Sequence, residues 1–142
     1  MNIMQLNLNI AQNNMEKTIE QRRLEFLDET VAFYGEDTSR RALQNNQCMY
    51  RTDDGRKCAI GRVIPDELYS RSLDRTGGVG IVTILESPKL SKRIPDNVKE
   101  LGKYFLLSVQ KLHDRTSSWQ MGKGLSESGQ KYYDDIVERF CK

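Results

Sequence analysis

The chain has 142 residues, of which 37% are hydrophobic and 30% charged, enough length and apolar content for one domain with its own core. Its 22 basic and 20 acidic residues leave a net charge of +2, which argues against a non-specific nucleic-acid binder. The sequence has no basic and apolar leader and no apolar run near the roughly 20 residues of a membrane span. Its three cysteines are an odd number for a secreted disulfide framework. We therefore expect a cytoplasmic protein with reduced thiols and no membrane partner.

From Met4 to Ile10, apolar and polar residues alternate without a fault. A period of two is typical of a strand, and a lone strand is not stable in water. We therefore expect residues 1–14 to form an N-terminal extension whose strand pairs elsewhere in the chain or with a second copy, which would make a homo-oligomer. The alternative is an extension without regular structure, because Met15 is a second candidate start.

Three segments repeat apolar residues at the spacing of an amphipathic helix. The first covers about residues 15–34 and is expected to stop at Gly35. The second covers about 95–113 and opens at Pro95, and the third covers about 127–140. The apolar stripe of the second segment consists of Val98, Leu101, Phe105, Val109 and Leu112. Such a stripe predicts a central, largely buried helix.

Between the first two helices, residues 47–51 and 56–60 flank the turn sequence Thr52-Asp53-Asp54-Gly55. Asp-Gly indicates a hairpin, because glycine adopts a positive φ at no steric cost. A hairpin would place Cys48 and Cys58 near each other across the ribbon. The competing interpretation begins a helix at about Cys58, where the helix dipole would stabilise a thiolate. Both interpretations remain open from the sequence.

The stretch from residue 65 to the second helix has weaker signals. Pro65 is expected to open a helix that runs to about Leu73. A glycine-rich break follows at residues 76–80. The β-branched residues from Val79 to Leu85 predict a strand, and residues 87–94 are typical of a polar linker.

These elements predict a helix-rich α+β fold that forms one globular domain over residues 15–142. Three main helices, at about 15–34, 95–113 and 127–140, are expected to pack on a small β-hairpin or strand element around 47–60.

Short motifs follow one another in a fixed order from Met15 onward. They are Cys48-x-Tyr50, Asp54-Gly55, Lys57-Cys58-Ala59-x-Gly61, Ile64-Pro65-Asp66-x-Leu68-Tyr69, Leu112-His113-Asp114 and Trp119. This order resembles a family of small proteins of bacteria and their phages. The resemblance implies a phage or mobile-element setting and brings no activity with it. Members of that family carry Glu-Gly soon after the tyrosine, whereas this chain has Thr76-Gly77-Gly78. We therefore assign no role to the glutamate of that motif.

A thiol nucleophile is the sharpest catalytic hypothesis. Basic residues on both sides of Cys58 favour its thiolate form. His113 is the sole histidine, and Asp114 is placed to orient it, as in recurring thiol–histidine designs. The competing interpretation is that His113 is a hydrogen-bonded core residue and that the thiols pack as small apolar groups. We favour this second interpretation.

A zinc site is a weaker hypothesis. The candidate ligands are Cys48, Cys58 and His113, together with Asp114 or Cys141. Structural zinc has four ligands, commonly in two close pairs. Nine residues separate Cys48 from Cys58, and no fourth ligand stands out. We therefore assign no metal and no cofactor.

An anion-binding pocket is the third hypothesis. Backbone N–H groups of the sequence Gly77-Gly78-x-Gly80 could cradle a phosphate, although the spacing matches neither a P-loop nor a dinucleotide fingerprint. The candidate anion partners are Arg51, Arg56, Arg62, Arg71 and Arg75, and the candidate stacking surfaces are Tyr50, Tyr69 and Trp119. This set predicts a site for a small nucleotide.

As function we expect a non-enzymatic accessory protein of a phage or mobile element that acts by binding. Its ligand is a host protein or a small nucleotide, and the phage setting suggests a role against host defence in the host cytoplasm. The alternative is a small thiol-dependent enzyme that uses Cys58 and His113, with Asp114 orienting the imidazole.

Overall fold

A computed structural model of the protein describes residues 2–5, 16–44, 47–74, 80–120 and 122–142. The helices are α1 (Ile19–Glu36), α2 (Ile81–Glu86), α3 (Asp96–Lys99), α4 (Lys103–Asp114) and α5 (Glu127–Phe140). The strands are β1 (Leu43–Gln44), which pairs antiparallel with β2 (Gln47–Cys48), and β3 (Trp119–Gln120), which pairs antiparallel with β4 (Gly124–Leu125). This is the helix-rich α+β fold that the sequence predicts.

Short 3₁₀ turns link these elements. They lie at Thr38–Arg40, Gly61–Val63, Arg71–Leu73, Ser91–Arg93 and Thr116–Ser118. Buried apolar side chains from α1, α4 and α5 pack together with those of residues 58–64 to form the core. Across the described ranges, no helix has both the length and the apolar character needed to cross a bilayer.

Helix α1 begins later than predicted because a capping box fixes its start. The Thr18 hydroxyl accepts from the Gln21 N–H at 3.1 Å, and the Gln21 side chain accepts from the Thr18 N–H at 2.8 Å. The helix then runs to Glu36. The side chains that it buries are those of Phe26, Leu27, Thr30 and Tyr34. Leu24 and Val31, which have the same helical spacing as Leu27, are only half-buried.

The predicted hairpin around residues 47–60 is reduced to its turn. Gly55 has a φ of 86°, as the Asp-Gly signal requires, and the Thr52 N–H donates to the Arg56 carbonyl at 2.9 Å. Beyond the turn, an isolated bridge pairs Arg51 with Lys57. Cys48 pairs with Leu43 across β1 and β2 instead of facing Cys58. The ribbon interpretation is therefore wrong for the two thiols.

The competing helix at Cys58 is also only partly right. The Arg62 N–H donates to the Cys58 carbonyl at 2.9 Å, so a helical turn does start there, but it ends with the 3₁₀ turn at Gly61–Val63. This tight turn brings Gly61 against the backbone of Tyr50, where a Cβ on residue 61 would lie 2.0 Å from the Tyr50 oxygen. Only glycine fits this approach.

Two predictions between residues 65 and 85 are wrong. Pro65 opens a single turn, in which the Leu68 and Tyr69 N–H groups both donate to its carbonyl, and no helix continues to Leu73. The predicted strand is helix α2, which packs against α4. Packing decided the outcome, because α2 buries two isoleucines at helical spacing, Ile81 and Ile84.

The predicted helix at 95–113 is two helices, α3 and α4, which meet at Gly102. This glycine has a φ of 96°, which ends α3 and re-aims the chain. The Arg23 side chain enters the break and donates from Nε to the Leu101 carbonyl at 2.8 Å. The predicted apolar stripe is nevertheless buried at every position: Val98, Leu101, Phe105, Val109 and Leu112.

Helix α5 begins and ends as predicted. The Ser126 hydroxyl accepts from the Gly129 N–H at 3.0 Å and caps the first turn, and the Ile136 side chain enters the core. The segment before α5 contains β3 and β4.

The predicted N-terminal strand lies mostly outside the described residues, which include Met4 and Gln5 but not 6–10. Residues 3–5 are helical, so the strand prediction is wrong at Met4 and Gln5. Pairing with a second copy stays a prediction.

Candidate functional site

The Leu112-His113-Asp114 motif forms the C-terminal end of α4, and His113 is 0% exposed. The Ala42 N–H donates to His113 Nε2 at 3.3 Å, so Nδ1 carries the proton and donates to Asp114 Oδ1 at 2.8 Å. Burial lowers the pKa of His113, against the opposing pull of the Asp114 carboxylate. His113 is therefore a neutral imidazole with no ring nitrogen left for a substrate.

The carbonyl groups at the end of α4 are capped by two side chains. Arg41 donates from Nε to the His113 carbonyl at 2.7 Å and from Nη2 to the Asp114 carbonyl at 2.8 Å. The Trp119 indole donates to the Leu112 carbonyl at 3.1 Å and is 8% exposed. A cation at this end also interacts favourably with the helix dipole. The motif residues thus hold the end of α4 in place, and Trp119 offers no stacking surface.

Cys58 is 1% exposed, and its sulfur accepts from the Gly61 N–H at 3.2 Å. Burial raises the pKa of the Cys58 thiol well above its ordinary value. Among the described residues, no hydrogen bond joins Cys58 to His113 or Asp114. The three predicted catalytic residues therefore lack the exposure and the free base that a thiol–histidine pair needs.

The candidate zinc ligands are the three free cysteines, His113 and Asp114. Burial raises the pKa of Cys48 to about 12, and the half-buried Cys141 lies just after α5. Within the part of the chain that the structure describes, no group of three or more His, Cys, Asp or Glu side chains is arranged to hold a metal ion.

Three predicted ligand-binding residues line one cavity of about 310 Å³, here called the Arg51 cleft. Its lining residues are Met49, Arg51, Thr52, Asp53, Tyr69, Arg71 and Asp74. Arg51 lies over the Tyr69 ring at 4.3 Å and pairs with Asp66 at 2.9 Å. Asp74 accepts from the Tyr50 N–H at 2.8 Å and from the Tyr69 hydroxyl at 2.5 Å. The Nε of Arg51 has no hydrogen-bond partner among the described residues, but the carboxylates of Asp53 and Asp74 line the Arg51 cleft and disfavour an anionic ligand there.

A second cavity, of about 360 Å³, gathers cations, and no carboxylate of the described residues lines it. We call it the basic pocket, and its lining residues are Phe33, Arg40, Gly55, Arg56, Lys57 and Arg62. The α1 helix supplies Phe33, the 3₁₀ turn after it supplies Arg40, and the Asp-Gly turn with its following segment supplies the rest. Four cations thus converge on one cavity.

Arg56 is the lining residue of the basic pocket whose side chain is held by contacts within the protein. Its Nε pairs with Asp54 at 3.0 Å, Nη1 donates to the Arg41 carbonyl at 3.0 Å, and Nη2 donates to the Leu43 carbonyl at 2.8 Å. Every nitrogen of this guanidinium therefore has a partner inside the protein.

The other cations of the basic pocket have fewer partners within the protein than Arg56 has. Arg40 and Arg62 lie over the Phe33 ring at 4.7 and 5.7 Å. Arg40 pairs with the exposed Glu36 at 3.2 Å, whereas Lys57 and Arg62 make no ion pair within the described ranges. Arg62 reaches the Thr30 hydroxyl at 3.3 Å, and its buried Nε has no hydrogen-bond partner there. Within those ranges, two positive charges of the pocket are therefore uncompensated.

The predicted ligand-binding set does not form one site. The Arg51 cleft contains Arg51, Tyr69 and Arg71, and the basic pocket contains Arg56 and Arg62. Tyr50 and Trp119 are buried, and Arg75 lies outside the described residues. Sequence reasoning missed Phe33, Arg40 and Lys57 as binding residues. The basic run around Cys58 was a signal for Lys57, but no sequence pattern linked it to Phe33.

No protein-family profile, no curated protein and no solved structure matches this chain. The resemblance to small phage and bacterial proteins therefore stays a prediction from the motifs.

Proposed function

We propose that this protein acts by binding a small nucleotide in the basic pocket and catalyses no reaction. The observation that carries the proposal is the convergence of Arg40, Arg56, Lys57 and Arg62 on one cavity that no described carboxylate lines. Cations held this close repel one another, so an anionic ligand between them stabilises the arrangement.

The chemistry of the pocket suits phosphate oxygens. Guanidinium groups offer paired donors that match phosphate geometry, and an ammonium adds a point charge. A cavity of about 360 Å³ also falls in the range of small-molecule sites, whose volumes start at roughly 300 Å³.

The setting of this activity follows from the motif resemblance alone. In a phage or mobile element, a non-catalytic binder would act in the host cytoplasm by withholding a nucleotide from a host defence. A host protein is the other ligand class, and its acidic side chains would use the same cations. The thiol-enzyme alternative gains no support from Cys58 and His113, which are buried and hydrogen-bonded.

Titration calorimetry with AMP and ATP tests the proposal. The Lys57→Gln variant should bind at least about tenfold more weakly, because it loses one charge-assisted contact of about 1.5–3 kcal/mol. The Lys57 side chain has no ion pair to lose in the described ranges, so the fold should survive.

Arg71→Gln is the matched control, since Arg71 is an exposed arginine of the Arg51 cleft. It should bind as the unaltered protein does. The proposal is wrong if the unaltered protein binds no nucleotide, or if Arg71→Gln loses as much affinity as Lys57→Gln while circular dichroism shows both folded.

A further inference from the structure

We infer that the basic pocket selects a phosphomonoester and recognises its phosphate, not its base. This inference rests on the proposed function and names the class of ligand for the same site. Two independent features of the pocket support it: its charge and its aromatic ring.

The charge of the pocket matches a dianion. Arg40 and Arg56 face the carboxylates of Glu36 and Asp54, at 3.2 and 3.0 Å. Lys57 and Arg62 have no such partner among the described residues, which leaves two uncompensated charges. A phosphomonoester carries about −1.5 to −2 at pH 7, with a second pKa of about 6. A phosphodiester lacks that second ionisation and would leave one cation unmatched.

The aromatic ring of the pocket is only partly free, and Phe33 is 37% exposed. Phe33 is the one aromatic residue among the described residues that line it, and the guanidinium groups of Arg40 and Arg62 both lie over its ring. The Tyr34 ring also contacts it edge-on, with centroids 4.9 Å apart. A base that stacks on Phe33 would therefore compete with these two guanidinium groups for the ring.

Among the described lining residues, none has an amide or hydroxyl side chain that could read a base edge, and the cations that could do so are the groups that a phosphate would engage. The pocket is lined by cations, a phenyl ring and a glycine, and it contains no Asn, Gln, Ser or Thr side chain among the described residues. Base recognition usually combines stacking with hydrogen bonds to the base edge. The base of a bound nucleotide should therefore remain in solvent and contribute little to affinity.

Titration calorimetry at pH 7.5 and low salt with four ligands separates the contribution of the phosphate charge to affinity from that of the base. The ligands are AMP, ribose 5-phosphate, cyclic AMP and adenosine. AMP and ribose 5-phosphate should bind within about threefold of each other, since they share the phosphate dianion. Cyclic AMP should bind at least about tenfold more weakly, because its diester carries a single charge. Adenosine should give no heat of binding. Affinity for AMP should fall as the pH drops below about 6, where the phosphate takes up its second proton.

The Lys57→Gln variant adds a check on the charge argument. Removing one of the two uncompensated cations should reduce the difference in affinity between AMP and cyclic AMP. The Arg71→Gln variant should leave that difference in affinity unchanged. If ribose 5-phosphate binds ten times more weakly than AMP, or cyclic AMP binds as well as AMP, the inference is overturned and the proposed function stands. If none of the phosphates binds, the proposed function itself fails.

Discussion

His113 uses both ring nitrogens inside the protein, one toward the Asp114 carboxylate and one toward the Ala42 amide. Cys58 is enclosed in the same way, with its sulfur held by the Gly61 N–H. A cysteine, a histidine and an aspartate in one chain suggest thiol chemistry, but their partners decide what each group can do. Here the partners lie within the fold itself, so the residues stabilise it.

His113 should make the stability of the protein depend on pH. Burial lowers its pKa in the folded state, so protonation favours the unfolded chain, where the pKa is about 6.5. Stability should be full above pH 6.5 and fall, by up to about 1.4 kcal/mol per pH unit, as the pH drops from there through the lowered folded-state pKa. Arg41 and Asp114 are the charged groups beside the imidazole.

Urea denaturation at a series of pH values between 5 and 8 measures this dependence. Because His113 is the sole histidine, His113→Gln should flatten the curve between pH 6 and 7, although it lowers stability overall. An unaltered protein whose stability is constant from pH 8 to 5 would contradict the assigned neutral imidazole.

At the scale of elements, the sequence predicted what local periodicity controls. The apolar stripes located the cores of α1, α4 and α5, because those side chains recur at helical spacing. It failed where distant contacts decide: residues 81–86 have strand propensity but form a helix against α4. The basic pocket follows the same rule. Arg56 and Arg62 were predicted from a local basic run. Phe33 lies far from that run in sequence, on α1, so no local pattern connects it to the pocket.

The 3₁₀ turn at Gly61–Val63 should tolerate no side chain at its first residue. In Gly61→Ala the new Cβ would lie 2.0 Å from the Tyr50 oxygen and 2.8 Å from its carbonyl carbon, so backbone would have to move. We expect a loss of about 3 kcal/mol in the free energy of unfolding. Thermal or urea denaturation measures it.

Gly80→Ala is the comparison for this variant. Gly80 has a φ of −61°, and a Cβ added to it would meet nothing within 4 Å. This substitution should cost no more than about 1 kcal/mol, through the weaker helix cap. Equal losses in the two variants would mean that the close approach at Tyr50 does not limit residue 61.

At the scale of the whole molecule, the core and the basic pocket share one piece of backbone. The Lys57 carbonyl accepts from the Tyr34 hydroxyl in the core, while the Lys57 side chain lines the pocket. Arg56 reaches from the pocket to the Arg41 carbonyl, and Arg41 in turn caps α4. The contacts that hold the end of α4 therefore also set the shape of the pocket.

The N-terminal extension is the part of the molecule that should govern its oligomeric state. If the remainder of the alternating segment, residues 6–10, pairs between copies, deleting residues 1–14 should convert an oligomer into a monomer. Light scattering coupled to size exclusion measures the mass. An unchanged mass after the deletion would show that assembly, if any, uses another surface. AMP binding should survive the deletion, because the basic pocket begins at Phe33.

The residues that line the basic pocket differ in how strongly the fold depends on their side chains. Arg56 is tied to the carbonyls of Arg41 and Leu43, so replacing it disturbs the fold as well as the ligand site. Within the described residues, the Lys57 side chain makes no such hydrogen bond to the backbone. If the basic pocket binds the proposed nucleotide, substitutions at residue 57 can therefore change its ligand preference while the architecture stays intact.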